Sequence, residues 1–251
     1  MKKINILGFD VSTESVNEIV RKALSNSRIT IVNTINPHSY VETKTDSTFR
    51  DALIESDELI PDGAGISIAA NFLHGKEVKK IAGFDLFEET MSVINGKSGK
   101  VFFLGSSEAV LKAIEERVIK EYSNVKVKTL SPPFKPEFSA EDITKFSQAI
   151  NEFSPDVVFV GLTAPKQEKL IKKISGCVDT KMISGIGAVF DFFAGTVKRP
   201  NKIWISLNLE WLGRLIAEPK RLWRRNFVST PIFLFDLVKG KLMKKKASLA
   251  Q

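Results

Sequence analysis

The chain has 251 residues, 43% of them apolar, enough for a full core and for one large domain. A single cysteine, Cys177, excludes an internal disulfide framework, and with only two histidines beside it a Cys/His zinc site is close to excluded as well. The net charge of +8 is unevenly placed: Val197 to Gln251 carries 13 Lys and Arg against 3 Asp and Glu, a net +10, whereas the remainder is −2.

The elements follow in alternation. Ile4 to Leu7 reads as a strand, and Ser12 to Ser25 as an amphipathic helix capped by Ser12 or Thr13. Ile29 to Asn33 is a β-branched run ending at Thr34-Ile35-Asn36-Pro37, with a helix expected over Ser39 to Thr45. Glu58 to Pro61 is a short strand stopped by Asp62-Gly63-Ala64-Gly65, and Ile66 to Leu73 continues as a helix. Lys100 to Leu104, Val125 to Leu130, Asp156 to Val160 and Lys181 to Ser184 read as strands. Glu108 to Glu121 and Ala140 to Phe153 read as helices, and Pro165 opens another. Short buried strands alternating with helices predict an α/β, Rossmann-like, mainly parallel sheet with flanking helices and a C-terminal helical, basic appendage. The expected division is a catalytic core over 1–196, an appendage over 197–243 and a disordered tail over 244–251. Cys177 is expected to be a small, partly buried side chain.

The N-terminus lacks the apolar run and cleavage site of a signal peptide, and no window holds the roughly 18 to 20 apolar residues of a spanning helix. A cytoplasmic protein able to lie on a bilayer is therefore expected. In the appendage, Arg214, Arg221 and Arg225 recur on one helical face with Arg224 nearby, and Trp211, Leu212, Leu215, Ile216, Leu222, Trp223 and Phe227 cover the other. Pro219 splits or kinks this segment. A basic, aromatic segment also suits a nucleic-acid module, but the amphipathic pattern and the mildly acidic body argue against nucleic acid as a partner.

In open parallel sheets, ligands bind beyond the carboxyl ends of the strands. Thr34 and Asn36 suit sugar or base edges there, and equally suit local turn hydrogen bonds. Asp62 either caps the helix that follows or serves as a general base at the mouth of the sheet, beside Gly63. Gly161-Leu162-Thr163-Ala164-Pro165-Lys166-Gln167-Glu168 is a small-residue turn into a helix, suited to a phosphate or uracil edge. Gly185-Ile186-Gly187 is too short a glycine pattern to indicate a dinucleotide. Asp191 reads as a structural carboxylate or a site residue, and His38 and His74 as isolated histidines.

Taken together, the chain resembles, over nearly its full length, the WecG/TagA/CpsF bacterial glycosyltransferases (glycosyltransferase family 26). The matching blocks are Thr34-Ile35-Asn36-Pro37, Leu59-Ile60-Pro61-Asp62-Gly63, Ile81-Ala82-Gly83-Phe84-Asp85-Leu86, the Gly161 to Glu168 turn, Gly187 to Gly195, and Leu209 to Arg225. The resemblance implies a Rossmann-like core and an appendage that works at the membrane. It implies inverting transfer of N-acetylmannosamine from its UDP donor to N-acetylglucosaminyl-diphospho-undecaprenol, without metal or other cofactor, as in wall teichoic acid synthesis. Other members use UDP-N-acetylmannosaminuronate or UDP-glucuronate in capsule, exopolysaccharide or common-antigen assembly. Carried over, Asp62 is the catalytic base with Thr34 beside it. Asn36, Gly63, Gln167 and Asp191 line the substrate pocket, and Arg214, Arg221 and Arg224 close over it. Lys80 stands where the family usually has an arginine, which keeps the charge and loses the bidentate fork. The expected partners are the UDP-sugar, the undecaprenyl-diphosphate acceptor and an anionic membrane face, with self-association away from it.

Overall fold

The structure is a computed structural model that describes residues 2–197, 215 and 219–249. It opens with a β-hairpin, β1 (Lys3–Ile6) against β2 (Phe9–Ser12), antiparallel with Ile6 opposite Phe9. Leu7 (φ 50°) and Gly8 (φ 93°) form the two-residue turn. Positive φ at both positions matches the twist that a hairpin needs. The second strand was not expected, and it displaces the first helix. That helix, α1 (Val16–Ser25), is capped by Ser15, not by Ser12 or Thr13, through a reciprocal box with Glu18.

The chain then alternates. β3 (Thr30–Ile35) leads to α2 (Pro37–Glu42) and α3 (Ser47–Ile54), and β4 (Glu58–Pro61) leads to α4 (Ala64–His74) and α5 (Gly83–Gly96). After them come β5 (Lys100–Gly105), α6 (Glu108–Glu121), β6 (Lys126–Leu130), α7 (Ala140–Phe153), β7 (Val157–Gly161), α8 (Lys166–Ile174), β8 (Met182–Gly185) and α9 (Val189–Ala194). The sheet runs β1-β2-β4-β3-β8-β7-β5-β6, and every pair except β1-β2 is parallel. This is the expected Rossmann-like α/β fold.

Alternate residues of the strands serve opposite layers. Val32, Ile60, Val101, Phe103, Phe159 and Met182 face α1, α5, α6 and α9. Ile35 and Leu59 face the other way, onto Phe49 of α3 and Ile66 of α4. Phe102, Val158 and Ile183 on that same face meet α7 and α8. The helix leaving β3 and the helix leaving β8 thus cover opposite faces of adjacent strands. Divergence of this kind opens a crevice at the carboxyl ends, at the switch point of the sheet.

At the C-terminus, α10 (Pro219–Arg224) runs through a π-helical turn (Arg225–Ser229) into α11 (Thr230–Leu249). Pro219 opens α10, where its missing N–H costs nothing. The helix extends into the segment expected to be a disordered tail. Phe233 and Leu237 are buried in the same cluster as Phe9, Ile35 and Phe49. The expected apolar face of the appendage divides in two: Leu222 is 5% exposed and points inward, whereas Trp223 (53%) and Phe227 (64%) face outward. Docking against α2 and the hairpin, which periodicity does not reveal, selects the inward row. Cys177 is a free, exposed thiol, contrary to the partly buried expectation, because it sits in the turn that ends α8. Among the described residues no helix is long and apolar enough to cross a membrane.

Candidate active site

β3 and β4 are in register, with Thr34 beside Ile60 and Ile35 beside Pro61. The Asp62 amide continues the ladder by donating to the Ile35 carbonyl at 2.9 Å. Asn36 and Asp62 therefore leave neighbouring strands at one level. Asn36 caps α2: its Oδ1 accepts from the amides of His38 and Ser39, each at 3.0 Å. Its Nδ2 donates to Asp62 Oδ2 at 3.4 Å. The cap and ligand readings of Asn36 thus coexist, because one end of the carboxamide holds the helix and the other faces the carboxylate. Asp62 itself does not cap α4, whose N-cap is Gly63 with no side-chain hydrogen bond. Gly63 has φ +82°, and nothing lies within 4 Å of where its Cβ would be. That leaves open space at the turn that follows Asp62. Thr34 is half-buried on the β3 face that carries Val32.

The segment after α4 closes the crevice on the opposite face. The Ile81 amide donates to the Pro61 carbonyl at 2.9 Å, and a Cβ on Gly83 would be 3.4 Å from Val189 Cγ2. Residues 81–83 therefore cross from the end of β4 to the start of α9. This places Lys80 at the rim beside Asp62, half-buried and without a hydrogen bond or ion pair among the described residues. Asp191 lies on α9, where its carbonyl accepts from Thr196 Oγ1 at 3.2 Å.

Gln167 approaches from the β8 side and is buried. Its Oε1 accepts from the Gly187 amide at 3.1 Å, and its Nε2 donates to Glu168 Oε1 at 2.8 Å. A Cβ on Gly185 would fall 2.9 Å from Gln167 Cδ, so glycine is required for this approach. Glu168 is 3% exposed, and its Oε2 has no partner among the described residues. Burial pushes its carboxyl up to about 7, partly opposed by the Gln167 amide. The native state then keeps a proton that the unfolded chain has lost, so stability falls as pH rises from the ordinary carboxyl range to about 7. Glu168→Gln is accordingly expected to be more stable than wild type at pH 8, by up to ~3 kcal/mol, and equal to it near pH 4. Urea titrations at both pH values check this, and an identical offset at the two would contradict it.

The C-terminal arm supplies the cation. Arg225 Nη2 stands 3.9 Å from Asp62 Oδ2. Arg224, the residue expected to close over the site, is exposed. Arg214 and the Arg221 side chain lie outside the described residues. Arg225 lies on the arginine face that the helical period gives, with Arg214 and Arg221, whereas the resemblance pointed to Arg224 in its place. His38, expected to be isolated, has its Nδ1 2.9 Å from Ser229 Oγ on the arm. Burial, opposed by the Glu42 carboxylate and reinforced by Arg225 and Arg224, holds its imidazole below the usual range.

The structure brings together Asn36, Asp62, Gly63 and Arg225 at the ends of β3 and β4. Thr34 lies on β3, Lys80 next to the residue whose amide meets Pro61, Gln167 against the Gly187 amide after β8, and Asp191 on α9. A carboxylate beside an open turn, a buried amide on a glycine turn and an arginine from a docked arm suit proton abstraction next to an anionic leaving group.

The family model described as the glycosyl transferase WecG/TagA/CpsF family matches residues 4–247. The chain is 33% identical over 215 residues, 86% of its length, to the N-acetylglucosaminyldiphosphoundecaprenol N-acetyl-beta-D-mannosaminyltransferase of Bacillus subtilis, covering 81% of that protein. It is 30% identical to the protein of the same name from Bacillus spizizenii (95% of this chain, 91% of that protein). With the Staphylococcus aureus protein of that name it shares 28% identity (98% and 96%). With the family model matching nearly the whole length, the chain belongs to the WecG/TagA/CpsF family of glycosyltransferases.

Proposed function

We propose that this chain is an inverting transferase that moves N-acetylmannosamine from UDP-N-acetylmannosamine to N-acetylglucosaminyl-diphospho-undecaprenol, in cell-wall or surface-polysaccharide assembly. The relatives' names support the acceptor and the sugar. The observation that carries the mechanism is the Asp62 carboxylate at the mouth of the sheet, beside the open Gly63 turn. The acceptor hydroxyl attacks the anomeric carbon and gives its proton to Asp62. The anomeric C–O bond to UDP breaks, and its electron pair leaves on the diphosphate. Asn36 orients Asp62, Gln167 shapes the donor turn, and Thr34, Lys80 and Asp191 border the sugar and phosphates. Arginines of the arm (Arg225, with Arg214, Arg221 and Arg224) offset the charge that develops on UDP, so the reaction proceeds without a metal ion.

The acceptor is a lipid, which calls for a membrane-facing surface. Trp223, Phe227, Leu234, Phe235, Val238, Leu242 and Met243 are exposed along the arm. With the exposed Lys239 and Lys241 they form a surface suited to the anionic inner face of the plasma membrane, each cation contributing roughly 1 kcal/mol. Away from the membrane, the same surface favours self-association.

The test is UDP release from a panel of UDP-sugars, with a soluble N-acetylglucosaminyl-diphospholipid analogue and EDTA present. Acceptor-dependent release from UDP-N-acetylmannosamine is expected. Release only from UDP-N-acetylmannosaminuronate or UDP-glucuronate would keep the mechanism and change the donor. Dependence on added divalent metal would overturn the arginine account of the leaving group.

A further inference from the structure

His38 belongs to two networks at once. Its backbone amide is held by the Asn36 carboxamide, whose other end donates to Asp62. Its ring points away from the sheet, to Ser229 on the arm. Ser229 is 1% exposed and ends the π-helical turn that Arg225 begins. Arg225 in turn faces Asp62. Asp62, Asn36, His38, Ser229 and Arg225 therefore form a closed circuit that joins the catalytic strand ends to the arm.

Further along, the arm is fixed by the Phe233 ring on Tyr40, with centroids 5.4 Å apart, and by Asp236, which accepts from Tyr40 Oη at 3.1 Å and pairs with Lys44 at 2.6 Å. Between those contacts and Arg225 lies the π-helical turn. Such a turn holds one residue more than an α-helix over the same length. Its wider geometry is supported locally, since Thr230 Oγ1 donates to the Arg225 carbonyl at 3.3 Å and Asn226 Nδ2 to the Leu222 carbonyl at 3.0 Å. Relaxation of the turn to α-helix, with the Phe233 end held, would rotate Arg225 by about 100° around the helix axis, away from the carboxylate. The His38–Ser229 contact ties that turn to α2.

We propose that His38 is a positioning residue: its contact with Ser229 holds the π-helical register of the arm and so keeps the Arg225 guanidinium over the Asp62 carboxylate. The inference rests on the reading of Asp62 and Arg225 as working parts of the transferase. It assigns His38 no contact with substrate.

The experiment measures kcat and KM for UDP-N-acetylmannosamine, with the soluble acceptor analogue and thermal melts, in the full chain. The variants are Asp62→Asn, Arg225→Ala, His38→Ala, His38→Asn, Ser229→Ala and the His38→Ala/Arg225→Ala pair. Arg225→Ala is expected to lower kcat about 100-fold. His38→Ala and Ser229→Ala should each lower it roughly 10-fold with little change in KM, as for a charge that acts in the transition state. His38→Asn, whose amide can occupy the Nδ1 position, should recover most of the rate. The double variant should be no slower than Arg225→Ala, because His38 acts through that arginine. Multiplying effects in the double variant, full activity in His38→Ala, or no rescue by asparagine in a folded protein would each overturn the inference. Those results beside an inactive Asp62→Asn leave the reading of Asp62 as the base standing; an active Asp62→Asn removes that reading instead.

Discussion

Asp62→Asn is expected to lower turnover by about 10²- to 10⁴-fold while leaving the melting temperature and donor KM nearly unchanged. The two side chains have the same shape, and an asparagine oxygen still accepts from the Asn36 amide that now reaches Asp62 at 3.4 Å. The variant loses only the ability to take the acceptor proton. Steady-state UDP release at saturating acceptor measures the effect, alongside a thermal melt. Turnover near wild type would place the base elsewhere, with Asp191 on α9 the next candidate.

Phe233→Ala carries the second large effect, and it acts at a distance. Phe233 is 1% exposed and packs edge-on to Tyr40 with the ring planes at 74°. Truncating a buried phenylalanine costs about 3 to 5 kcal/mol, and the lost aromatic pair is part of that. Among the described residues of the arm, the buried apolar side chains are Leu222, Phe233 and Leu237. The cost should therefore appear first as local undocking of the arm and loss of transfer, before the sheet unfolds. Hydrogen exchange over Thr230–Leu249 and UDP release together check this. Exchange as slow as wild type in that helix would show that the arm is held by something other than this contact. Deleting everything after Thr196 is a poorer test of the arm's chemistry, because it also uncovers the apolar surface around Phe9, Tyr40 and Phe49.

Local signals were legible where they were complete in themselves. The helices Glu108–Glu121 and Ala140–Phe153 could be read to the residue because Ser107 and Ser139 accept from backbone amides at their starts. The second hairpin strand, Phe9–Ser12, went unread because its last residue, Ser12, also reads as a helix cap and so drew the start of the helix too early. Helix α3 (Ser47–Ile54) was missed behind the capping residue Asp46, and α5 (Gly83–Gly96) behind a glycine start. In α5 the buried Leu86, Phe87, Thr90, Met91 and Ile94 do carry helical spacing, so that signal was present and was passed over.

The candidate site divides in the same way. Asn36, Asp62 and Gly63 could be named from the sequence because each lies where a short strand stops at a polar or glycine turn, whereas Gln167, inside α8, came from the resemblance. In a parallel sheet those stops gather at one edge. The sequence by itself thus determined the layered fold, the edge where the strands end and the carboxylate at that edge, since caps, turns and strand ends are local choices of a few residues. Which arginine meets Asp62, and that His38 reaches the arm, were decided only by tertiary packing. His38 and Ser229 are 191 positions apart, and the register of one π-helical turn against α2 selects Arg225 over Arg224. No local period encodes that register, because it is set by how Phe233 and Leu237 settle into a core built from the other end of the chain.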